Sequence, residues 1–350
     1  MLVDCFLGFN ELELAKFRIK YLCSEVDSTL IAEANISHSG NSKPLYFTKL
    51  KKQFPRIFAR VEVLVLDLGS YADSWEREVS SREQLIKYAV TRFPNAKYVL
   101  SDLDEIPSLQ QLRNFKMCKG NFHYVTPTTY RYANWSLTDR HMTWNKGVLG
   151  DSSLVNLTNG GRMLKLPNLD CSDVGIHASY LKLNEEFISS KMQGFAHVEL
   201  NNRLLFDKKT IEFCDRYQID HLGRFDRRGF GLLEVVPHKD LRPIQQELFN
   251  HADDWFSFRQ CGASFYKRLV ASLIIYSMIK CTLHQRELFS HFLKDEKVSF
   301  KTKIRLIYCL INNAIEANSY RAKDTIKGIL KSKFARLLFL RNAKKRLYPF

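Results

Sequence analysis

The chain has 350 residues, of which 45% are hydrophobic and 26% charged, a composition typical of a folded protein with one large domain or two ordinary ones. Its net charge of +16 is unevenly placed, because residues 264–350 carry 19 Lys and Arg against 5 Asp and Glu. A uniformly basic nucleic-acid-binding protein would not have a nearly neutral body, so we predict no nucleic-acid partner.

The first hundred residues alternate between strand and helix patterns. Strands are predicted at 2–9, 26–34, 60–68 and 96–100, and helices at 10–22, near 47–53 and at 74–93. Asn10 and Ser74 are the predicted N-caps of the first and third helices. Strands separated by helices indicate a parallel sheet in an α/β layer fold.

The pattern changes after residue 120. Residues 120–180 are rich in Tyr, Thr, Trp and Val, which predicts antiparallel strands or extended loops, and residues 184–217 have a mostly helical pattern. Helices dominate the prediction beyond about residue 240. We therefore predict a catalytic domain at 1–240 and a helical, basic C-terminal region at 241–350.

Membrane attachment has two alternatives. The N-terminus has no basic segment followed by a long apolar one, and the longest apolar run, 269–279, is far shorter than the roughly 20 residues of a spanning helix. We expect a cytoplasmic protein with neither a signal peptide nor a transmembrane helix. Residues 327–346 have a basic amphipathic pattern, for which there are two interpretations. The segment would bind an anionic membrane surface, or its apolar stripe would pack on the catalytic domain with the basic side chains in solvent.

The stretch YVLSDLDEIPS, residues 98–108, places two carboxylates where the fourth strand ends. Asp102 and Asp104 are two residues apart, so in an extended segment their side chains point the same way. Two hard carboxylates at the carboxyl edge of a parallel sheet suit Mg²⁺ or Mn²⁺. Such an ion would neutralise the charge that develops on a leaving nucleotide diphosphate.

Three other interpretations apply to a stretch of this kind. The carboxylates could belong to a turn that caps a helix beginning near Pro107. A phosphatase of the haloacid-dehalogenase type needs a small polar residue where Ile106 stands. A calcium loop needs further oxygen ligands and a glycine after the second aspartate, and both are missing here.

Five blocks of sequence resemble glycosyltransferase family 17, in the same order along the chain. They are residues 4–19, 33–47, 74–86, 101–108 and 173–199. The resemblance implies a GT-A-type nucleotide-sugar-binding sheet flanked by helices, UDP-GlcNAc as donor, Mn²⁺ as cofactor and inversion at the anomeric carbon. The resemblance also implies a glycan as acceptor, and a mannose-containing glycan is one candidate.

Candidate site residues follow from these blocks. Inverting transfer needs a general base, for which Asp173 and Glu199 are the candidates, with Asp173 preferred because Gly175 lets the backbone bend beside it. Asp173 could equally cap a turn. His177 or His197 could complete the metal site, since histidine is a fitting ligand for Mn²⁺, or both could be structural.

Five further residues are predicted to bind the donor. Arg82 and Lys191 could pair with its phosphates, and solvated helix faces are the alternative. Glu11, Arg18 and Glu33 match family positions near the first two strands, where a GT-A fold holds the nucleoside. An ion pair between Glu11 and Arg18 that only fixes the first helix is an equally good interpretation.

The alternative function is a non-catalytic glycan-binding or membrane-associated scaffold of the same fold. Asp102 and Asp104, which form the acidic motif, argue against it, as do Asp173 and both histidines. Because two close carboxylates repel each other without a metal, the sequence also predicts that neutralising Asp104 leaves the stability of the apo protein unchanged or raises it.

Overall fold

The computed structural model describes residues 1–137, 143–156, 165–181, 185–194, 208–220 and 232–263, and also 196, 222, 268, 271, 272 and 275. The chain forms two compact units, Met1–Ile211 with Leu233–Gly262, and Glu212–Leu232 with Ala263–Phe350. Most of the C-terminal region predicted at 241–350, including the amphipathic segment 327–346, lies outside the described residues. Its boundary near 240 stays a prediction. None of the helices in the described stretches is long and apolar enough to span a bilayer.

The described elements are mixed helices and strands. In chain order the strands are β1 (Leu2–Leu7), β2 (Ser28–Glu33), β3 (Val61–Val65), β4 (Lys97–Asp102), β5 (Glu105–Ile106), β6 (Phe122–His123), β7 (Thr126–Tyr130), β8 (Tyr132–Leu137), β9 (Thr143–Trp144), β10 (Val148–Gly150), β11 (Ile176–Ser179) and β12 (Leu233–Val235). The α-helices are α1 (Leu12–Leu22), α2 (Tyr46–Gln53), α3 (Ser74–Arg92), α4 (Leu109–Met117), α5 (Glu185–Gly194), α6 (Lys208–Tyr217) and α7 (Pro243–His251).

The first sheet has the order β3-β2-β1-β4-β10-β6. Strands β1 to β4 are parallel, and β10 runs antiparallel to both β4 and β6. The predicted α/β class and parallel sheet are therefore confirmed. The third strand is shorter than the pattern predicts, ending at Val65.

Both faces of this sheet are buried, as its apolar strands require. Along β1, Leu2 and Phe6 belong to one hydrophobic cluster and Val3 and Cys5 to another. Helix α1 packs into the first cluster and α3 into the second, so helices cover both faces. The alternation also places Asp4 inside the first cluster, fully buried.

The order of the parallel strands creates a switch point between β1 and β4. From β1 the chain passes through α1 to β2 on one side, and from β3 it returns through α3 to β4 on the other. Ligands of open α/β sheets bind where the carboxyl ends of two such strands diverge. Leu7 at the end of β1 is paired with Asp102 at the end of β4, so the acidic motif lies at this point.

A second sheet begins where the first ends. Its order is β12-β8-β7-β11-β5, with β9 also paired to β7. The strands predicted in 120–180 are thus confirmed, although β11 pairs in parallel with β7 and antiparallel with β5. Only Leu103 and Asp104 separate β4 from β5, so the turn at Asp104 joins the two sheets.

Both predicted N-caps are wrong by one residue. Helix α1 begins after Glu11, and Asn10 Oδ1, the atom that would cap it, accepts no backbone N–H group of the described helix, while Nδ2 donates to Ser190 Oγ on α5 (3.4 Å). Helix α3 is capped by Asp73, whose carboxylate accepts from the backbone N–H groups of Trp75 (2.8 Å) and Glu76 (3.2 Å).

Replacing Asp73 with alanine should lower the free energy of unfolding by about 1 kcal/mol, because the first turn of α3 loses its side-chain acceptor. Asparagine at this position keeps an acceptor oxygen and is the matched control, expected to stay close to wild type. Urea unfolding of the two variants measures the difference. Equal stability of the alanine and asparagine variants would contradict the assignment of this cap.

Candidate active site

Arg18 of α1 supports the turn that carries the acidic motif from the interior of the protein. Its guanidinium forms a buried pair with both oxygens of Asp4 (2.9 and 2.6 Å). It also donates to the backbone carbonyls of Asp102, Leu103 and Glu105 at 2.8–3.1 Å. Burial is the largest single effect on the pKa of Arg18 and lowers it, but the charge and hydrogen bonding of Asp4, with smaller effects from Tyr124 and Glu105, together raise it by more.

This placement changes the role assigned to Arg18. The side chain is fully buried, so it supports the site from the protein interior and does not line it. The proposed ion pair with Glu11 is also wrong, because Asp4 is the partner of Arg18 and Glu11 pairs with Lys191. The sequence signal that was missed is Asp4 itself, a charged residue in the middle of an apolar strand.

Glu105 fixes the same turn from its other side. One carboxylate oxygen accepts from the backbone N–H of Asp102 (3.1 Å) and the other from the indole N–H of Trp144 (2.5 Å). Both contacts are made by a side chain that is entirely buried. Glu105 therefore orients the motif, with neither oxygen directed to solvent.

Asp102 lies at the open edge of the sheet beside Arg82. Its side chain is 33% exposed, and one oxygen accepts from Arg82 at 3.0 Å. Arg82 in turn pairs with Glu78 one turn earlier on α3 (2.7 Å). The guanidinium of Arg82 thus reaches the switch point from the helix side, and its predicted contact with a donor phosphate stays a prediction.

Asp104 lies deeper, in a cluster of charges that the sequence separates widely. Lys191 of α5 donates to Asp104 at 3.2 Å and pairs with Glu11 at 2.5 Å. All three side chains are about nine-tenths buried. Burial lowers the pKa of Lys191, but the two carboxylates raise it by more, so the ammonium stays charged. One cation thus joins the loop after β1 to the acidic motif.

His177 of β11 faces the same carboxylate. Its Nε2 lies 3.8 Å from Asp104 Oδ1, and its Nδ1 lies 3.3 Å from the Thr128 hydroxyl. The Trp144 ring packs on the imidazole with 4.7 Å between ring centres. Gly175 lets β11 come this close, since a Cβ there would overlap the carbonyl oxygen of Ile106. These neighbours fix which nitrogen points at Asp104.

A divalent ion fits part of this arrangement. Asp104 Oδ1 and His177 Nε2 are close enough for one ion to contact both, and their oxygen and nitrogen donors suit Mn²⁺. Within the residues that the structure describes, no group of three His, Cys, Asp or Glu side chains converges as a metal site would require. His197 and Glu199, both predicted for the site, lie outside the described residues.

Glu33 has a structural position. Its two oxygens accept from the backbone N–H groups of Phe47 (2.9 Å) and Thr48 (2.7 Å), and also from the Thr48 hydroxyl (2.7 Å). Carboxylates stabilise helix N-termini in this way. Glu33 thus anchors the start of α2 to the end of β2, which differs from the nucleoside contact that the family position implies.

Asp173 is not among the side chains that converge at Asp104. Its backbone carbonyl accepts from Ser108 Oγ at the start of α4 (2.7 Å), and its carboxylate lies in the field of Arg242. Burial raises the pKa of Asp173, and Arg242 partly opposes the rise. A raised pKa suits a general base, but its role stays a prediction from the sequence.

A cavity of about 330 Å³ opens beside Lys191. Asn10, Glu11 and Lys191 supply polar groups to it, and Tyr180, Phe187 and Trp255 supply aromatic walls. Tyr180 has a left-handed backbone (φ 55°), a conformation that is sparsely populated outside glycine and recurs at ligand sites. The cavity thus combines a charged end at the switch point with apolar walls suited to a small ligand.

The family comparison agrees with this geometry. The model of glycosyltransferase family 17 matches residues 1–219, more than half of the chain, and the matched part contains the acidic turn, His177 and Lys191. A search of the curated proteins finds no match.

Proposed function

The chain belongs to glycosyltransferase family 17, and we propose that it transfers N-acetylglucosamine from UDP-GlcNAc, with inversion, to a hydroxyl of a glycan. The family supports a transferase with a sugar donor and a glycan acceptor. The observation that supports the more specific proposal of a nucleotide-sugar donor is the charge cluster of Asp104, Lys191 and Glu11 at the switch point of the parallel sheet. We propose that this sheet is the nucleotide-sugar-binding sheet of a GT-A fold.

Each charged group has a role in the proposed transfer. Asp102 and Asp104, with His177, would hold Mn²⁺ or Mg²⁺, which supplies Lewis-acid stabilisation of the leaving diphosphate. Arg82 would pair with a phosphate oxygen from the α3 side, for which its planar guanidinium is suited. Lys191, fixed between Glu11 and Asp104, would keep the carboxylates apart from each other and orient them.

Inversion sets the remaining requirements. The acceptor oxygen bonds to the anomeric carbon from the face opposite UDP, the bond from that carbon to the diphosphate breaks, and a carboxylate takes the acceptor proton. Asp173 and Glu199 are the proposed candidates for this base. Tyr180 and Trp255 give the cavity beside Lys191 two aromatic walls on which a sugar ring could pack.

The alternative function is a non-catalytic scaffold that binds glycans or a membrane surface through the basic C-terminal helices. One observation favours it, because both motif carboxylates already lie beside a basic side chain. A cytoplasmic location with peripheral attachment to an anionic membrane is part of either proposal.

Calorimetric titration with UDP separates the two functions. We expect Mn²⁺ to tighten UDP binding by about tenfold or more, since an ion bridging the motif and the diphosphate adds contacts that neither partner makes alone. GDP is the control for nucleotide specificity and should bind more weakly. UDP binding of equal affinity with and without Mn²⁺ would reject the metal-dependent mechanism.

A further inference from the structure

In the part of the chain that the structure describes, the buried ammonium group of Lys43 has no hydrogen-bond partner, although it is shielded from solvent. The rings of Phe9 and Tyr46 lie 5.6 and 5.8 Å from it. A buried charge without a hydrogen-bonded partner is costly, so such a group calls for an explanation, of which a ligand that completes it is one.

The nearby carboxylates are engaged elsewhere. Glu33 uses its oxygens on the N-terminus of α2, and Glu11 contacts Lys191. Both raise the pKa of Lys43 through their charge, but burial has the larger effect and the net shift is downward. The negative charge of an anion that reached Nζ would raise this pKa again and so stabilise the ammonium.

The loop that carries Lys43 is part of the switch-point edge. It follows β2, and Ser39 and Asn41 tether it to the carbonyl of Gln193 at the end of α5 (2.5 and 3.3 Å). This helix also carries Lys191. His38 in the same loop lies in the electrostatic field of Lys43, Arg82 and Asp102 together. The loop of Lys43 thus contacts α3 and α5, the two helices whose Arg82 and Lys191 pair with the acidic motif.

A second buried atom indicates what kind of ligand is needed. Asn10 Oδ1 has no hydrogen-bond partner among the described residues, and Asn10 is the chain neighbour of Phe9. A ligand that reached both atoms would have to offer a charged acceptor to Lys43 and a hydrogen to Asn10. A nucleoside diphosphate has both, in its phosphate oxygens and its hydroxyl groups.

We propose that Lys43 Nζ binds a phosphate oxygen of the nucleotide donor. This rests on the proposed function and adds a residue that the acidic motif did not indicate. The contact is a charge-assisted hydrogen bond, made by an ammonium that is already desolvated before the ligand arrives. The proposal also predicts that Lys43 lowers the stability of the ligand-free protein, which a purely structural lysine would not do.

The test compares Lys43→Met with Lys49→Met, a lysine on the exposed face of α2. UDP and uridine are titrated into each variant and wild type, with Mn²⁺ present throughout. We expect Lys43→Met to weaken UDP binding by roughly ten- to a hundredfold, to leave uridine binding unchanged, and to melt at the wild-type temperature or higher. Lys49→Met should match wild type in all three measurements.

The possible failures can be told apart. Two outcomes reject the phosphate contact while the proposed donor stands, provided that wild type binds UDP. In the first, Lys43→Met binds UDP as tightly as wild type does. In the second, Lys43→Met loses affinity for UDP and for uridine to the same extent. A lower melting temperature with unchanged UDP affinity assigns Lys43 a structural role instead. Wild-type protein that binds no UDP would reject both the donor and this contact.

Discussion

Replacing Asp104 with asparagine is expected to lower the rate of sugar transfer by about a thousandfold, equivalent to roughly 4 kcal/mol of transition-state stabilisation. The change keeps the size of the side chain but removes the charge that faces Lys191 and His177. Release of UDP from the donor measures the rate. A variant with near-normal turnover at saturating Mn²⁺ would show that Asp104 does not act in the reaction.

The same variant tests the electrostatics of the apo protein. The sequence alone predicts equal or higher stability, because it places two repelling carboxylates side by side. In the structure Asp104 is buried against Lys191, so we expect its neutralisation to destabilise the fold by about 1–3 kcal/mol, with Glu11 retaining part of the lysine's charge pairing. Asp102→Asn, at the more exposed position, is the control and should cost less.

Replacing Arg18 with methionine is expected to have the largest effect on stability, about 3–5 kcal/mol of the free energy of unfolding. It leaves the Asp4 carboxylate buried without its partner and removes the donors to three carbonyls of the acidic turn. Urea unfolding measures the loss. Lys20→Met, on the exposed side of the same helix, should stay within about 0.5 kcal/mol of wild type.

A double variant separates charge from packing at this position. Arg18→Met combined with Asp4→Leu removes the uncompensated charge, so we expect it to recover part of the lost stability. The turn would still lack its carbonyl contacts. Arg18→Met within about 1 kcal/mol of wild type would refute the claim that this side chain supports the site.

The spacing of hydrophobic residues along the chain predicted most of the first strands and helices. Strands β1 to β4 and helices α1 to α3 follow from hydrophobic periodicity, and parallel strands required the carboxyl end of β4 to lie at a ligand-binding edge. The acidic motif could therefore be placed before any contact was known. The N-caps were each missed by one residue. Helix α1 begins one residue later than the pattern predicts, and Asp73 precedes a serine that fits the capping pattern equally well.

The partners of charged residues could not be predicted in this way. The sequence spacing suggested Glu11 as the ion-pair partner of Arg18. The partner is Asp4 instead, because the alternation of side chains along β1 buries Asp4 against α1. Glu33 matches a family position yet anchors α2, because the chain returns over it after a loop of twelve residues. Asp104 and Lys191 meet across 87 residues, and nothing local to either indicates the other.

The most direct test of the central claim is a donor screen that measures release of the nucleoside diphosphate. UDP is measured with UDP-GlcNAc, UDP-glucose and UDP-galactose, and GDP with GDP-mannose as the control donor. The screen needs no acceptor, because slow hydrolysis of the donor by water reports the same bond cleavage. We predict that wild-type protein with Mn²⁺ releases UDP fastest from UDP-GlcNAc, and that Asp104→Asn abolishes this release. The account would be contradicted if wild-type protein released UDP from every UDP-sugar no faster than the Asp104→Asn variant does.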